Sequence, residues 1–374
     1  MIYLDNAATG GRKPDCVITA VLSAVKVCAN PGRSGHKLSL ACLKRVQDCR
    51  NTLSDVFDGF GYDRVVFTKN CTEALNLAIF GALARGDHAV TTAMEHNSVL
   101  RPLHYLKKTR GVEFDVCPLQ GGNIHPDSVK KLLKPNTKAV IVTAASNVTG
   151  AIPPLDKIRD ALPEHVLLIV DGAQGGGHIP IKMQKTGIDA LALAGHKGLH
   201  AIQGSGALLF SDRINPAPIL FGGTGSMSFS LDMPDFSPDS LEAGTLSFPA
   251  VISLLEGARY VQRNVEHIPA RLIALTEYLL SGLKRLPEYA VYSSPNPCGI
   301  VAFAHKEIQS ELIASRLSSG YDVAVRGGLH CAPLMHEGLG TRENGLVRAS
   351  FSHFSSETEA DELLAALQRL PASI

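Results

Sequence analysis

Two polar side chains follow apolar, β-rich runs of this chain at a spacing that suits shared chemistry. Asp171 comes directly after the run 166–170, and Lys197 comes soon after the run 189–193. Lys197 comes 26 positions after Asp171, which leaves room for one crossover and the next strand. Because ligands of open α/β sheets collect at the carboxyl ends of the strands, we expect both side chains to face one ligand. A lysine buried there is costly to desolvate, and the depressed pKa that results is what a Schiff-base lysine needs.

A lysine and a carboxylate in this arrangement match the needs of pyridoxal phosphate. Lys197 would hold the aldehyde carbon of the cofactor, and Asp171 would keep the pyridine nitrogen protonated so that the ring can accept electrons. A plain ion pair between the two side chains at the edge of a sheet explains the spacing equally well. The spacing alone therefore leaves both possibilities open.

Cys331 is the third residue that could do chemistry. A thiol is nucleophilic only as the thiolate, and Arg326 and His330 nearby offer a positive environment that favours this form. A buried cysteine that only packs is the alternative. The glycine pair before the cysteine and the Ala-Pro pair after it favour an exposed turn, so we predict a reactive thiol.

The elements that must position these residues follow an α/β pattern. Between residues 64 and 210, short apolar runs alternate with helical patterns, and the near-continuous hydrophobicity of the runs suits strands buried on both faces of a mostly parallel sheet. Helical spacing occurs at 72–80, behind a threonine cap, and at 127–133. The predicted strands are 64–67, 88–92, 138–143, 166–170, 189–193 and 206–210.

The pattern changes after residue 210. A stretch rich in Gly, Ser and Pro at 222–249 is too long for an ordinary connection, which makes it a candidate functional loop. We expect a large cofactor-binding domain over 15–255 and a small α/β domain built from 1–14 and 256–374. The later helical patterns and strands lie at 248–264, 268–286, 300–303, 308–317, 323–325 and 357–370.

Composition excludes several classes of function. The 374 residues include 36 Lys plus Arg and 35 Asp plus Glu, a net charge of +1, so no general attraction to nucleic acid or to an anionic membrane is expected. No apolar stretch approaches the roughly 20 residues that span a bilayer, and the chain begins without an export signal. We therefore expect a cytoplasmic protein with eight reduced cysteines and, because no histidine pair has metal-binding spacing, without a metal.

Nine short motifs are spread along nearly the whole chain. They are YLDNAAT (3–9), TKNCTEALN (68–76), MEHNS (94–98), SNVTG (146–150), DGAQ (171–174), GHK (195–197), EAGT (242–245), RGGLHCAP (326–333) and VRAS (347–350). Together and in this order, they resemble the class V aminotransferase family of fold-type I pyridoxal-phosphate enzymes, and within it the group II cysteine desulfurases and selenocysteine lyases. Each motif is weak alone, but their joint occurrence is specific and disfavours the plain ion pair.

The resemblance implies roles for the residues around the cofactor. Lys197 would bond its aldehyde carbon and, once freed by the substrate, move the α-proton. Asp171 would pair with the ring nitrogen, and Gln174 would hydrogen-bond the ring hydroxyl. His96 would stack on the pyridine face, with an exposed loop histidine as the alternative.

The phosphate needs backbone amides and the positive end of a helix, and the turn at 70–72 that opens a helix supplies both. Cys71 would contribute its backbone, whereas Thr72 and His196 would add side-chain donors. In the family, a threonine of the Glu-Ala-Gly-Thr motif reaches the phosphate of the neighbouring subunit. Thr245 matches that threonine, so the resemblance implies a homodimer with shared active sites.

The resemblance also implies a substrate site. Arg348 matches the arginine that holds the substrate carboxylate in a bidentate fork, with a structural ion pair as the alternative. Asn147 would contact the ring hydroxyl and the carboxylate, and Arg326 would lie beside the substrate. His36 aligns with a histidine near the family's substrate site, but a helix-capping or surface role explains it equally well.

The implied activity is removal of sulfur from L-cysteine, which gives L-alanine and a persulfide on Cys331 for transfer to a thiol or protein acceptor. The alternatives are a lyase acting on L-selenocysteine, cystine or cysteine sulfinate, and a catalytically silent sulfur-relay partner. Two positions depart from the family pattern. Ala194 replaces a serine, which removes one phosphate hydroxyl, and Leu329 replaces a histidine, which makes the cysteine loop less polar.

Overall fold

The computed structural model describes residues 1–27 and 29–370, so Cys28 lies outside the described residues. Seven strands form its central sheet in the order β2-β8-β7-β6-β5-β3-β4. The strand β8 runs antiparallel to β2 and β7, and every other neighbouring pair is parallel, as the apolar runs predicted. The strands are β2 (Val65–Thr68), β3 (His88–Thr92), β4 (Glu113–Cys117), β5 (Thr137–Thr143), β6 (Leu167–Asp171), β7 (Ala190–Ala194) and β8 (Gly206–Phe210).

All six predicted strands of this sheet are present within one residue of their expected ends, because strands buried on both faces are almost continuously apolar. The seventh strand, β4, was not predicted. It lies at the edge of the sheet, beyond β3, and most of its residues are exposed or half-buried. Glu113 and Asp115 on β4 break the apolar pattern on which the prediction depended.

Helices flank the sheet, and several begin with side-chain caps. Asn70 caps α3 by accepting a hydrogen bond from the N–H of Glu73, and the Glu73 carboxylate accepts one from the N–H of Lys69. The predicted helices at 72–80, 127–133, 248–264, 268–286, 308–317 and 357–370 are all present, whereas α1, α2, α4, α6, α7 and α11 were not predicted. The helices are α1 (Asp15–Val25), α2 (Lys37–Phe57), α3 (Cys71–Ala82), α4 (Asn97–Arg110), α5 (Pro126–Lys131), α6 (Leu155–Ala161), α7 (Met183–Thr186), α8 (Phe248–Arg263), α9 (His267–Leu283), α10 (Ser310–Tyr321), α11 (Pro333–Leu339) and α12 (Glu357–Arg369).

Two smaller sheets carry the rest of the fold. An antiparallel sheet has the order β12-β10-β9, and a two-stranded sheet joins the two ends of the chain, because β1 pairs in parallel with β11. The grouping of residues 1–14 with 256–374, and the domain boundaries, stay a prediction. The strands are β1 (Ile2–Tyr3), β9 (Tyr289–Val291), β10 (Ile300–His305), β11 (Val323–Ala324) and β12 (Val347–Ser350).

Between β8 and α8, the structure has no helix or strand, as predicted for the loop at 222–249. Phe229 and Leu231 in this loop are fully exposed to solvent. None of the helices in the described part of the chain is both long and apolar enough to cross a membrane. Within 1–27 and 29–370, no group of three or more His, Cys, Asp or Glu side chains is arranged to hold a metal ion.

Candidate active site

A cavity of about 240 Å³ lies at the edge of the central sheet where β5, β6 and β7 end. The carboxyl ends of parallel strands lie at the same edge of the sheet, so residues far apart in the chain come together there. Residues that lead into α3 and α4 also reach the cavity, as does Arg348 from β12. Ten of the thirteen predicted site residues line it, namely Cys71, Thr72, His96, Asn147, Asp171, Gln174, His196, Lys197, Arg326 and Arg348.

Asp171 and Lys197 both line this cavity, as their positions after neighbouring strands predicted. Asp171 is the last residue of β6, and Lys197 follows β7 by three residues. Burial lowers the pKa of the lysine, and the negative charge of Asp171 opposes that shift. No described residue forms a hydrogen bond or an ion pair with the lysine Nζ. The amine is therefore available to an electrophile in the cavity.

Several polar groups of the cavity fit pyridoxal phosphate. The Oε1 atom of Gln174 is buried without a hydrogen-bond partner, while its Nε2 donates to the carbonyl of Ala7 at 2.9 Å. A ring hydroxyl would satisfy that oxygen. Asp171 Oδ2 accepts no hydrogen bond from any described residue and can take a protonated ring nitrogen. The N–H groups of Cys71 and Thr72, in the first turn of α3, are left by the Asn70 cap and can serve a phosphate.

His96 caps α4, and its Nδ1 atom accepts a hydrogen bond from the N–H of Ser98 at 3.0 Å. The hydroxyl of Ser98 lies 2.8 Å from the same nitrogen and 2.8 Å from the hydroxyl of Thr72. This network fixes the ring of His96 at the cavity wall. Burial lowers its pKa, so the ring is neutral at physiological pH. The sequence analysis missed Ser98, although the MEHNS motif contains it.

His196 hydrogen-bonds the hydroxyl of Thr9 through Nδ1 at 3.0 Å. Burial, with the charges of Lys197 and Lys13, lowers its pKa to about 4, so it can serve a phosphate only as a neutral donor. The N-terminal segment also holds the backbone of this histidine, because Gly10 N and Lys13 Nζ both donate to its carbonyl. Ala194, which replaces the serine of the family pattern, is buried at the end of β7.

Arg348 is only 1% exposed and sits in β12 between two partners. Its Nη1 donates to the carbonyl of Asn147 at 2.8 Å, and its Nη2 donates to Asp5 Oδ1 at 2.8 Å. The Nε atom is buried without a partner, and Nη1 and Nη2 each keep a second N–H, so donors of the fork remain for a ligand. Asn147 in turn donates to the carbonyl of His330 at 2.7 Å. The sequence analysis quoted Asp5 within its first motif without giving it a role.

Cys331 is exposed and lies beside the cavity, outside its lining. Its Sγ is 3.8 Å from Arg326 Nη2, and its carbonyl accepts a hydrogen bond from the N–H of Asn97 at 2.8 Å. Positive φ angles at His330 (49°) and Cys331 (58°) turn the backbone sharply here, as the flanking glycines and proline suggested. Leu329 is partly exposed on the same turn.

One part of the prediction for this thiol was wrong. His330 is buried, and burial lowers its pKa to about 2, so this ring carries no positive charge. Its Nε2 donates to the carbonyl of Leu346 at 3.0 Å. The positive environment of Cys331 therefore comes from Arg326, because the low-dielectric surroundings keep the histidine neutral.

The other two predicted site residues lie away from the cavity. Thr245 lines a separate cavity of about 150 Å³ together with Glu242. His36 caps α2, since its Nδ1 accepts from the N–H of Ser39 at 3.2 Å, which agrees with the helix-capping alternative. Glu242 forms a buried ion pair with Arg50, at 2.6 Å, that the sequence analysis did not foresee.

Comparison with known proteins finds one family along the whole chain. The model of the family described as Aminotransferase class-V matches residues 2–363. A probable cysteine desulfurase of Pyrococcus abyssi is 32% identical, over 100% of this chain and 95% of that protein. A cysteine desulfurase of Klebsiella pneumoniae is 30% identical, over 99% of this chain and 93% of that protein.

Solved structures agree with this result. The apo structure of a cysteine desulfurase from Thermococcus onnurineus matches with a TM-score of 0.88 at 30% identity, over 98% of this chain and 94% of the other. A cysteine desulfurase from Escherichia coli matches with a TM-score of 0.87 at 25% identity, with the same coverage. The predicted fold-type I architecture and the family resemblance are confirmed, and pyridoxal phosphate is the cofactor that the family implies. This chain belongs to the class-V aminotransferase family.

Proposed function

We propose that this protein is a pyridoxal-phosphate-dependent cysteine desulfurase that converts L-cysteine to L-alanine and a persulfide on Cys331. One observation carries the proposal. The free amine of Lys197, the carboxylate of Asp171 and the guanidinium of Arg348 line one cavity, and the exposed thiol of Cys331 lies beside it against Arg326. The names of the relatives support the same activity.

The bound cofactor would supply an electron sink for the bond changes at the substrate. Lys197 would hold its aldehyde carbon, Asp171 Oδ2 would hold its ring nitrogen, and Gln174 Oε1 would accept from its ring hydroxyl. The start of α3 at Cys71 and the side chains of Thr72 and His196 would bind its phosphate. His96 would cover one face of the ring.

The substrate carboxylate would bind Arg348, whose Nε has no partner and whose Nη1 and Nη2 each keep a second N–H, while Asn147 and Arg326 complete the substrate pocket. The amine of Lys197, neutral once released, would then take the α-proton of the substrate.

The thiolate of Cys331 would attack the substrate sulfur. A sulfur–sulfur bond forms as the carbon–sulfur bond breaks, and the electron pair of the broken bond stays with the carbon, which is protonated and leaves as L-alanine. The persulfide sulfur would then pass to a thiol or to a protein acceptor. Arg326, at 3.8 Å from Sγ, would stabilise the attacking thiolate.

The proposal is tested by incubating protein purified with pyridoxal phosphate with L-cysteine, measuring alanine, and mapping the persulfide by mass spectrometry. We expect one alanine per sulfur released, and the extra sulfur on Cys331. Extra sulfur on another cysteine, or no alanine, would contradict the assignment. Colourless protein that borohydride does not modify would instead support the silent relay partner.

Selenocysteine lyase is the second candidate, because the sequence motifs resemble selenocysteine lyases as well as cysteine desulfurases. The weaker carbon–selenium bond needs the attacking thiol less. Cys331→Ala therefore separates the two activities. If alanine formation from L-selenocysteine survives in this variant while that from L-cysteine is lost, selenocysteine can be the substrate.

We further propose a homodimer in which Thr245 serves the cofactor phosphate of the partner subunit. Thr245 does not line the cavity that holds Lys197 of its own subunit. Phe229 and Leu231 on the same long loop expose apolar surface that a second copy would bury. Mixing Thr245→Ala subunits with Lys197→Ala subunits should generate hybrid dimers with one intact site. Sedimentation would establish the oligomeric state.

The cytoplasmic location stays a prediction.

A further inference from the structure

The two oxygens of the Asp171 carboxylate have different surroundings. Oδ1 accepts hydrogen bonds from the Sγ of Cys71 at 3.3 Å and from the N–H of Ala173 at 2.9 Å. Oδ2 accepts none from the described residues, although the side chain is only 2% exposed and lines the cavity. The carboxylate is thus anchored by one oxygen and leaves the other for a donor inside the cavity.

The Cys71 thiol can only be the donor of this hydrogen bond. Its side chain is buried, and burial, together with the negative charge of Asp171, raises its pKa well above that of an ordinary thiol. The sulfur therefore keeps its proton, and the carboxylate accepts the hydrogen bond. In this state the thiol is a poor nucleophile, unlike the exposed thiol of Cys331.

We propose that Cys71 is a positioning residue whose thiol orients Asp171 and thereby sets the protonation of the cofactor's ring nitrogen. The inference rests on the proposed function, since it requires pyridoxal phosphate. It adds a side-chain role to a residue for which the sequence indicated only a backbone role in phosphate binding. The hydrogen bond donated to Oδ1 holds the carboxylate and leaves its negatively charged Oδ2 for the ring nitrogen, where the charge favours the protonated ring.

The experiment compares equilibrium binding of pyridoxal phosphate and of its 1-deaza analogue, in which a CH group replaces the ring nitrogen, to the apo-protein. Cys71→Ala should raise the dissociation constant for pyridoxal phosphate about fivefold, the typical worth of one hydrogen bond. Cys71→Ser keeps a donor and should stay close to the wild type. For the 1-deaza analogue, the wild type and Cys71→Ala should bind equally, because the analogue has no ring nitrogen for Asp171 to hold.

Cys42→Ala is the matched control, since Cys42 is a buried cysteine of α2 that does not line the cavity. It should leave both dissociation constants unchanged. If the space left by the missing sulfur prevents Cys71→Ala from folding, Cys71→Val takes its place, because valine fills that space without a hydrogen-bond donor. The resonance of ¹⁵N-labelled cofactor gives a second readout, which should move from the protonated toward the neutral pyridine position when the donor is lost.

The outcomes separate the two proposals. Equal loss of affinity for both ligands would show that Cys71 acts on the phosphate or on packing, and it would overturn the positioning role. Unchanged binding and an unchanged ¹⁵N resonance in Cys71→Ala or Cys71→Val would overturn it as well. Wild-type protein that takes up no pyridoxal phosphate would overturn the proposed function and this inference together.

Discussion

Asp5 Oδ1 accepts a hydrogen bond from Arg348 Nη2 at 2.8 Å, which ties the N-terminal segment to the arginine proposed to bind the substrate. The residues are 343 positions apart in the chain. The same segment continues past the cavity, where the carbonyl of Ala7 accepts from Gln174 and the hydroxyl of Thr9 contacts His196. One short segment therefore orients residues of both the proposed substrate site and the proposed cofactor site.

Replacing Asp5 with Asn should weaken both the fold and substrate binding. Arg348 is almost fully buried, and its ionic partner Asp5 is 23% exposed at the side chain, so loss of the pair should cost about 1–3 kcal/mol in free energy of unfolding. The Michaelis constant for L-cysteine should rise severalfold, because the guanidinium loses one of its two orienting partners. Denaturant unfolding and steady-state kinetics measure both effects.

Asp322→Asn is the control for this prediction. Asp322 pairs with the N-terminal amine in an ion pair that is more than half exposed, so its loss should change the free energy of unfolding by less than about 1 kcal/mol. An equal effect of the two substitutions would contradict the special role of Asp5.

Glu242→Gln should destabilise the fold strongly. Glu242 pairs with Arg50, both side chains are more than nine-tenths buried, and its Oε1 also accepts from the N–H of Phe67 at 2.6 Å. Breaking a buried pair leaves an uncompensated charge, which costs about 3–5 kcal/mol. Thermal and denaturant unfolding would measure the loss. Glu256→Gln, at the more exposed pairs with Arg45 and Arg259, should cost less than about 1 kcal/mol, and a similar loss in both variants would refute the argument.

Glu95 should make the protein less stable as the pH rises from 6.5 to 8. The side chain is fully buried, and burial raises the pKa of its carboxyl to about 8. In this window the unfolded chain has already lost the proton, while the folded protein keeps it. The contribution of Glu95 to stability therefore falls with pH, by at most about 1.4 kcal/mol per pH unit, until the folded pKa is passed.

Glu95→Gln should remove this slope, because an amide does not titrate here. Urea unfolding of both proteins at intervals between pH 6.5 and 8 measures it. The buried histidines His196, His330 and His353 have lowered pKa values, so they are neutral in the fold throughout this window. Because unfolded histidines still bind protons near pH 6.5, these groups add a rise in stability with pH at the lower end of the window. Both proteins share this rise, so the difference between their curves reports Glu95. Parallel curves for the wild type and Glu95→Gln would contradict the raised pKa.

Brief treatment with iodoacetamide should modify Cys331 before any other cysteine that the structure describes. Its side chain is exposed and lies near Arg326, whereas Cys16 is half-buried and the remaining described cysteines are buried. Peptide mass spectrometry at increasing times gives the order of labelling. Early labelling of Cys71 would contradict its burial and its protonated state.

The strands, and the placement of Asp171 and Lys197 in one cavity, could be predicted because both depend on the pattern of apolar residues over a short stretch of sequence. Strands buried on both faces are continuously apolar, and successive parallel strands end at the same edge. The edge strand β4 escaped prediction because only a buried face imposes a regular apolar pattern. The sequence left the role of His36 open, and the structure shows that its ring caps α2.

By itself, the sequence determined the fold class, the family and ten of the residues that line the cavity, since these follow from local pattern and from motifs in a fixed order. Only the tertiary structure decided that Asp5 holds Arg348, that the Cys71 thiol donates to Asp171, and that His330 is neutral. The physical reason is that ion pairs, hydrogen bonds and pKa values depend on which groups become neighbours away from water, and these neighbours lie up to 343 residues apart in the chain.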